Sequence, residues 1–195
     1  MKALMIVAAV ASLTSQTFAS DVKSIYTKID FKKCKQTEKP DQQVFEGAWT
    51  CKGIPGYNVF FSAADSRDMV AMGKTEKNNC SGQKTFGSFN SAGDTVEWRM
   101  KAGKPFAAIL RWTISIDTDD PNKKATWLVV NKLDRGTACQ MHYVAGSFPN
   151  ANDVARKAAD EKAGAFNCEK DTPTFDSDIG EPNINLESCS AAAKD

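Results

Sequence analysis

Six cysteines, Cys34, Cys51, Cys80, Cys139, Cys168 and Cys189, constrain this chain more than any other feature. A structural metal site asks for close pairs such as C-x-x-C with histidines nearby. Here the two cysteines closest in sequence, Cys34 and Cys51, stand 17 positions apart, and His142 is the only histidine. An even count at wide spacing is the pattern of three disulfides formed in an oxidising compartment. Six cysteines allow fifteen pairings, and spacing alone leaves these open.

The N-terminus agrees with that compartment. Lys2, the apolar run Ala3 to Leu13 and the small-residue end Thr17-Phe18-Ala19 have the layout of a secretory signal over residues 1–19, with cleavage after Ala19. The run is shorter than the roughly 20 residues a membrane span needs, and no other stretch approaches that length. The remaining chain is expected to be periplasmic or secreted, without a membrane span. Lys2 is the leader's only charge, so the remainder carries 24 acidic residues against an equal number of basic ones. A balanced chain with no basic cluster lacks the electrostatic footprint of a nucleic-acid binder.

The hydrophobic pattern has a period of two over most of the chain. In Val44 to Arg67, Phe45, Gly47, Trp49 and Cys51 alternate with polar or small residues, and Tyr57, Val59 and Phe61 resume the alternation. Between them Gly53-Ile54-Pro55-Gly56 suits a type II turn with Pro55 second and Gly56 third. A short strand is expected around Ile25, Thr27 and Ile29, then a polar connection Lys35 to Gln43 centred on Pro40. If that first strand pairs with the second, Cys34 and Cys51 lie close together. Further strands are expected at Met69–Met72, Val96–Met100, Phe106–Ile116 with Leu110, Trp112, Ile114 and Ile116 inward, Ala125–Leu133 and Thr137–Ala145. Lys74 to Gly93 is a long Gly, Ser and Asn-rich segment with Phe86 and Phe89 as anchors, which needs a staple at Cys80.

The period then changes to 3.6. A helix is expected over about 150–165, with Asn150 as N-cap and Asp153 in the first turn. Ala151, Ala155, Ala158, Ala159 and Ala163 form its smooth face, closed by Phe166, and Arg156, Lys157, Asp160, Glu161 and Lys162 form a solvated one. Residues 169–195 lack a period and read as an extended tail pinned at Cys189. The fold class is therefore α+β and mostly β: a curved or closed antiparallel sheet of six to eight strands with one C-terminal helix packed on it, stapled by disulfides, in a single domain over residues 20–168.

Catalytic chemistry is hard to assemble from these residues. His142 sits between Met141 and Tyr143 in a predicted strand, there is no G-x-S-x-G elbow, and a sulfur held in a disulfide supplies no thiolate. No metal, cofactor or catalytic set is expected. The one charged cluster attached to an ordered hairpin is Asp65, Arg67 and Asp68. These are the candidate ligand-facing residues, against the plainer reading of an Asp bonding its own turn with Arg67 paired to it. Arg111 and Trp112 with Trp98 and Trp127 suggest either an aromatic patch or, more simply, core.

Three groups of residues together resemble a known pattern. They are Tyr26-Thr27-Lys28-Ile29-Asp30 with Cys34 four residues on; Trp49-x-Cys51-x-Gly53-x-x-Gly56-Tyr57-x-Val59 ending in Asp65-x-Arg67; and Cys139-x-x-x-Tyr143-Val144 leading to Pro149-Asn150-Ala151-Asn152, Ala155-Arg156, Ala159-Asp160 and Cys168. They resemble a family of small exported alphaproteobacterial proteins without assigned activity, over most of residues 25–168. The resemblance implies a periplasmic or secreted location. Cys80 and Cys189 fall outside its pattern; as additions they would pair with each other, leaving Cys34 with Cys51 and Cys139 with Cys168. A weaker likeness is to periplasmic lysozyme inhibitors, whose Ser-Gly-x-x-Tyr loop is matched only at Ser81-Gly82, with Thr85 in the tyrosine position. The leading expectation is a non-catalytic exported protein that binds a protein or small ligand. An inhibitor of a cell-wall hydrolase, acting through a protruding Lys74–Gly93 loop, is the alternative, and a hydrolase of unrecognised type is the third.

Overall fold

The computed structural model describes residues 22–41, 46–117, 119–120 and 122–189, of which 39–41 are described in backbone only. The leader, the end of the polar connection before Glu46 and the last six residues lie outside these. Among the described residues the chain is mostly strand with one α-helix, the α+β, mostly β class expected. Its ten strands divide between two sheets rather than forming one. β2 (Lys35–Asp41), β3 (Glu46–Lys52), β4 (Asn58–Ala64) and β5 (Arg67–Gly73) form a four-stranded antiparallel meander. β6 (Asn90–Lys101), β7 (Lys104–Ser115), β8 (Lys124–Asp134) and β9 (Thr137–Ala145) form a second meander, flanked by β1 (Val22–Lys28) on β6 and by β10 (Thr174–Asp176), parallel to β9.

Tight turns set these registers. Tyr57 N–H donates to the Ile54 carbonyl at 2.9 Å with Gly56 at φ +80°, as the Pro55-Gly56 pair requires. Asp65-Ser66, Ala102-Gly103 and Arg135-Gly136 each take positive φ at both central positions, the two-residue hairpin geometry whose twist matches that of the strands.

Alternation then builds three layers. Between the sheets lie Cys51, Val59, Phe61, Val70 and Met72 from the smaller one and Val96, Trp98, Leu110, Trp112, Trp127 and Tyr143 from the larger, with Phe86 among them. The other face of the larger sheet is covered by α1 (Ala151–Lys162), whose alanines lie on Ala107, Ile109, Leu128, Val130, Met141 and Val144. Small side chains let the helix approach the sheet closely. Trp98, Trp112 and Trp127 are therefore core and build no surface patch.

The three disulfides are Cys34–Cys51, Cys80–Cys189 and Cys139–Cys168, the pairing that the resemblance implied.

Several local expectations are corrected. β1 pairs with β6, not with β3, and Cys34 reaches Cys51 because Lys35–Asp41, read as a polar connection, is the edge strand β2 against β3. A strand at a sheet edge tolerates Pro40 and polar residues, and two register shifts mark it as irregular. Ile116 lies past the last β7–β8 pair and is 59% exposed. Phe86 anchors its segment as expected, but Phe89 is 60% exposed. The segment Lys74–Gly93 does not protrude: Asn79, Cys80, Ser81, Lys84 and Phe86 are buried in it, and its end belongs to β6. Asn150 stands before the helix in the left-handed region at φ +60°, without a side-chain cap bond, and the helix ends at Lys162. The tail contributes more than a pin, supplying β10, a bridge from Ile184 to Phe86, and Leu186 to the core.

Candidate functional site

The inward face of the smaller sheet has three cross-strand rows. Cys51, Val59 and Met72 form the deepest, Trp49, Phe61 and Val70 the next, and Gly47, Ala63 and Asp68 the row at the open end. The first two rows fill the space between the sheets. The third has a missing side chain and a methyl group at two of its three positions, and a cleft of about 620 Å³ opens there. Gly47 also fixes the cleft wall: a Cβ on it would stand 2.6 Å from the Trp49 ring, so the indole folds back over this strand only because the residue is glycine.

Phe31 completes the wall. It sits in the 3₁₀ turn Phe31–Lys33, whose cap Asp30 accepts from Lys32 N–H, directly before Cys34 and its bond to Cys51. Phe31, Trp49 and Phe61 pack edge-to-face, with ring centroids 4.8 to 6.0 Å apart. Phe31 remains 46% exposed. Glu46, Ser66, Arg67, Asp68 and Asn90 supply the polar part of the lining.

Asp68 is the best-held polar group here. Its Oδ2 accepts from Ala92 N–H at 2.8 Å, and its own N–H donates to Asn90 Oδ1 at 3.1 Å. Asn90 is locked in turn by donating to the Phe86 and Ser88 carbonyls. Burial pushes the Asp68 carboxyl above its usual range, with the Ala92 amide opposing the shift. Among the described residues neither Asp68 nor Glu46 has an ion-pair partner. Arg67 is committed elsewhere, to the Asp65 carboxylate and, at 3.1 Å, to the Gly87 carbonyl. Of the three sequence candidates, Asp65 and Arg67 thus form the plain turn-side pair, and Asp68 faces the cleft.

Alternation carried a signal for Asp68, which lies in phase with Val70 and Met72. Phe31, Trp49 and Asn90 were not legible as site residues, because they meet only when the two sheets and the 3₁₀ turn are assembled.

A second polar concentration lies under the helix. Glu97 and Arg99 point from β6 to the helix side, opposite Val96 and Trp98. Arg99 Nε donates to Asp160 at 2.9 Å and its Nη1 to Ser24 at 2.6 Å; Arg156 Nε donates to Glu97 at 2.6 Å and its Nη2 to Tyr26 at 3.1 Å. The Glu97 carboxylate holds the Arg156 guanidinium above its ordinary value. Arg156 is half-buried in the seam between helix and sheet, a correction to the solvated face expected from its sequence, and Asp160, exposed as expected, also pairs across the seam. Lys157 and Glu161 remain exposed.

His142 lies under the helix too, as a satisfied histidine within its strand. The register shift between Val130 and Asn131 puts it, with Val144, on the helix side of β9. Its Nε2 lies 3.0 Å from Asp176, and its Nδ1 lies 2.7 Å from Thr174 Oγ1 and 3.2 Å from Lys162 Nζ. A carboxylate only accepts, so the proton is on Nε2 and Nδ1 accepts. Burial, then the Lys162 charge, lowers the His142 pKa against the pull of Asp176. The ring is fully buried and fastens β10 and the helix to β9.

Among the described residues no group of His, Cys, Asp and Glu side chains is placed to hold a metal ion, and no helix is long and apolar enough to cross a membrane. Compared with protein-family models, with curated proteins and with solved structures, the chain matches none.

Proposed function

We propose that this is a non-catalytic binding protein of the periplasm or extracellular space, and that a small ligand with an apolar body occupies the cleft between its two sheets. The observation that carries the reading is the pairing of an aromatic wall, half-exposed Phe31 on Trp49 and Phe61, with an anchored carboxylate, Asp68, at the row of the smaller sheet's inward face that side chains leave unfilled. Concave sites that are mostly apolar with a few fixed polar groups are the usual form of small-molecule sites. The three disulfides and the leader-like N-terminus support the compartment. An inhibitor acting through a protruding loop finds no such loop in Lys74–Gly93.

The test is titration with a neutral apolar fluorophore, N-phenyl-1-naphthylamine. Saturable one-to-one enhancement is expected. Ala63→Leu, which fills the shallow row, should abolish it while leaving the thermal midpoint within a few degrees. Enhancement that survives Ala63→Leu, or none with the unmodified protein, refutes the cleft as the site.

A further inference from the structure

Resting on the cleft as binding site, we infer that its ligand is an organic cation, an amine or quaternary ammonium carrying an apolar group.

Three ionisable side chains line the cleft: Glu46, Arg67 and Asp68. Arg67 is turned to Asp65 and the Gly87 carbonyl, so its charge is already answered. Among the described side chains Glu46 and Asp68 have no cationic partner, so the cleft lining as described holds two negative charges without a counter-charge beside three aromatic rings. An anionic ligand would meet both carboxylates without a free guanidinium to receive it. A neutral ligand would bury Asp68 further with one backbone amide as its only compensating donor, and a buried charge without a partner is costly. A cation removes that cost and gains from the rings, since the faces of Trp and Phe attract positive charge within about 6 Å of the centroid. The carboxyl's displacement from its ordinary range by burial has the same physical origin, because a partially desolvated acid lacking a counter-charge favours whatever supplies one.

The locking of Asp68 points the same way. Its backbone and carboxylate are held by Asn90 and Ala92, and Thr85 donates to its carbonyl at 2.5 Å. A surface acid with no task would be free to turn to water. This one is fixed with one oxygen bonded to the amide at the start of β6.

The experiment displaces bound N-phenyl-1-naphthylamine with three compounds of similar body: phenyltrimethylammonium, its neutral carbon isostere tert-butylbenzene, and phenylacetate. The cation should displace the probe at a concentration about tenfold lower than the isostere, and phenylacetate should not compete. Asp68→Asn keeps the shape and an acceptor for Ala92 N–H; it should bring the cation and its isostere to within about twofold of each other, and Glu46→Gln should reduce the difference part way. Equal displacement by cation and isostere in the unmodified protein overturns the inference while leaving the cleft as binding site. Stronger displacement by phenylacetate overturns it too. Failure of the fluorophore itself to bind removes both readings.

Discussion

Removing Cys80–Cys189 by the double substitution Cys80→Ser, Cys189→Ser should destabilise the protein more than removing either other disulfide. This bridge closes a span of 109 residues, against 29 for Cys139–Cys168 and 17 for Cys34–Cys51. In the chain-entropy model the three are worth about 4.8, 3.6 and 3.1 kcal/mol. Cys139–Cys168 lies inside the largest loop and shortens the path around it to about 80 residues, which lowers the first figure only to about 4.5 kcal/mol. The tail is also held by Cys189 N–H on the Cys168 carbonyl at 2.9 Å, by Lys84 Nζ on the Glu187 carbonyl and by Leu186, half-buried against the core. The native tail therefore stays in place without the bridge, and the cost appears in the unfolded chain. Urea unfolding followed by tryptophan emission, sensitive to Trp98, Trp112 and Trp127, reads the effect. At a slope of about 2 kcal/mol per molar the midpoint should fall by about 2 M, and by about 1.5 M for the Cys34–Cys51 pair. A larger loss from removing Cys34–Cys51 would refute the reasoning, showing that the tail detaches or that unfolded-state structure dominates.

Arg99→Ala should cost about 1.5–3 kcal/mol, the worth of a charge-assisted hydrogen bond, because Asp160 loses its partner while Glu97 keeps Arg156; a loss below about 1 kcal/mol in urea unfolding would mean that water serves the seam. His142 is held neutral when folded, whereas in the unfolded chain it titrates near about 6.5. The unfolded state binds the proton first as pH falls, so this group's contribution is present above about 6.5 and is lost as pH drops towards the folded value. Unfolding midpoints should decline over that window, His142→Gln should flatten the decline, and an unchanged slope in the variant would count against the assignment. Asp68 has the opposite sign: with its folded pKa raised, its favourable contribution is present below about 3.9 and is lost as pH rises through the folded value. Asp68→Asn should accordingly raise the thermal midpoint at pH 7, and a fall of several degrees would contradict the absence of a cationic partner. Gly47→Ala should displace the Trp49 ring and weaken fluorophore binding at least about tenfold with little change in fold; unaltered binding would show that the indole does not form the wall.

The local rules read correctly wherever a residue's neighbours in sequence are also its neighbours in space. Pro55-Gly56 determines its turn, the alternation in β4, β7 and β8 determines which side chains go inward, and the alanine spacing determines which face of the helix is buried. They failed where the partner is remote. Lys35–Asp41 has no alternation because an edge strand has one bonded neighbour, and Lys35, Gln36, Thr37 and Glu38 are exposed. Arg156 read as solvated, and the partners of Asp160 and Lys162 went unread, because helical spacing cannot show that Glu97, Arg99 and His142 lie beneath them.

The sequence by itself determined the strands other than β2 and β10, the helix, the mostly β class and the even cysteine count, since each follows from side-chain period, turn stereochemistry and thiol chemistry within a few residues. Tertiary structure alone decided that the strands form two sheets, that β1 crosses to β6, and that Gly47 and Ala63 leave a hollow next to Asp68. The physical reason is that a cleft is a shortage of volume between elements distant along the chain. No local period records a shortage.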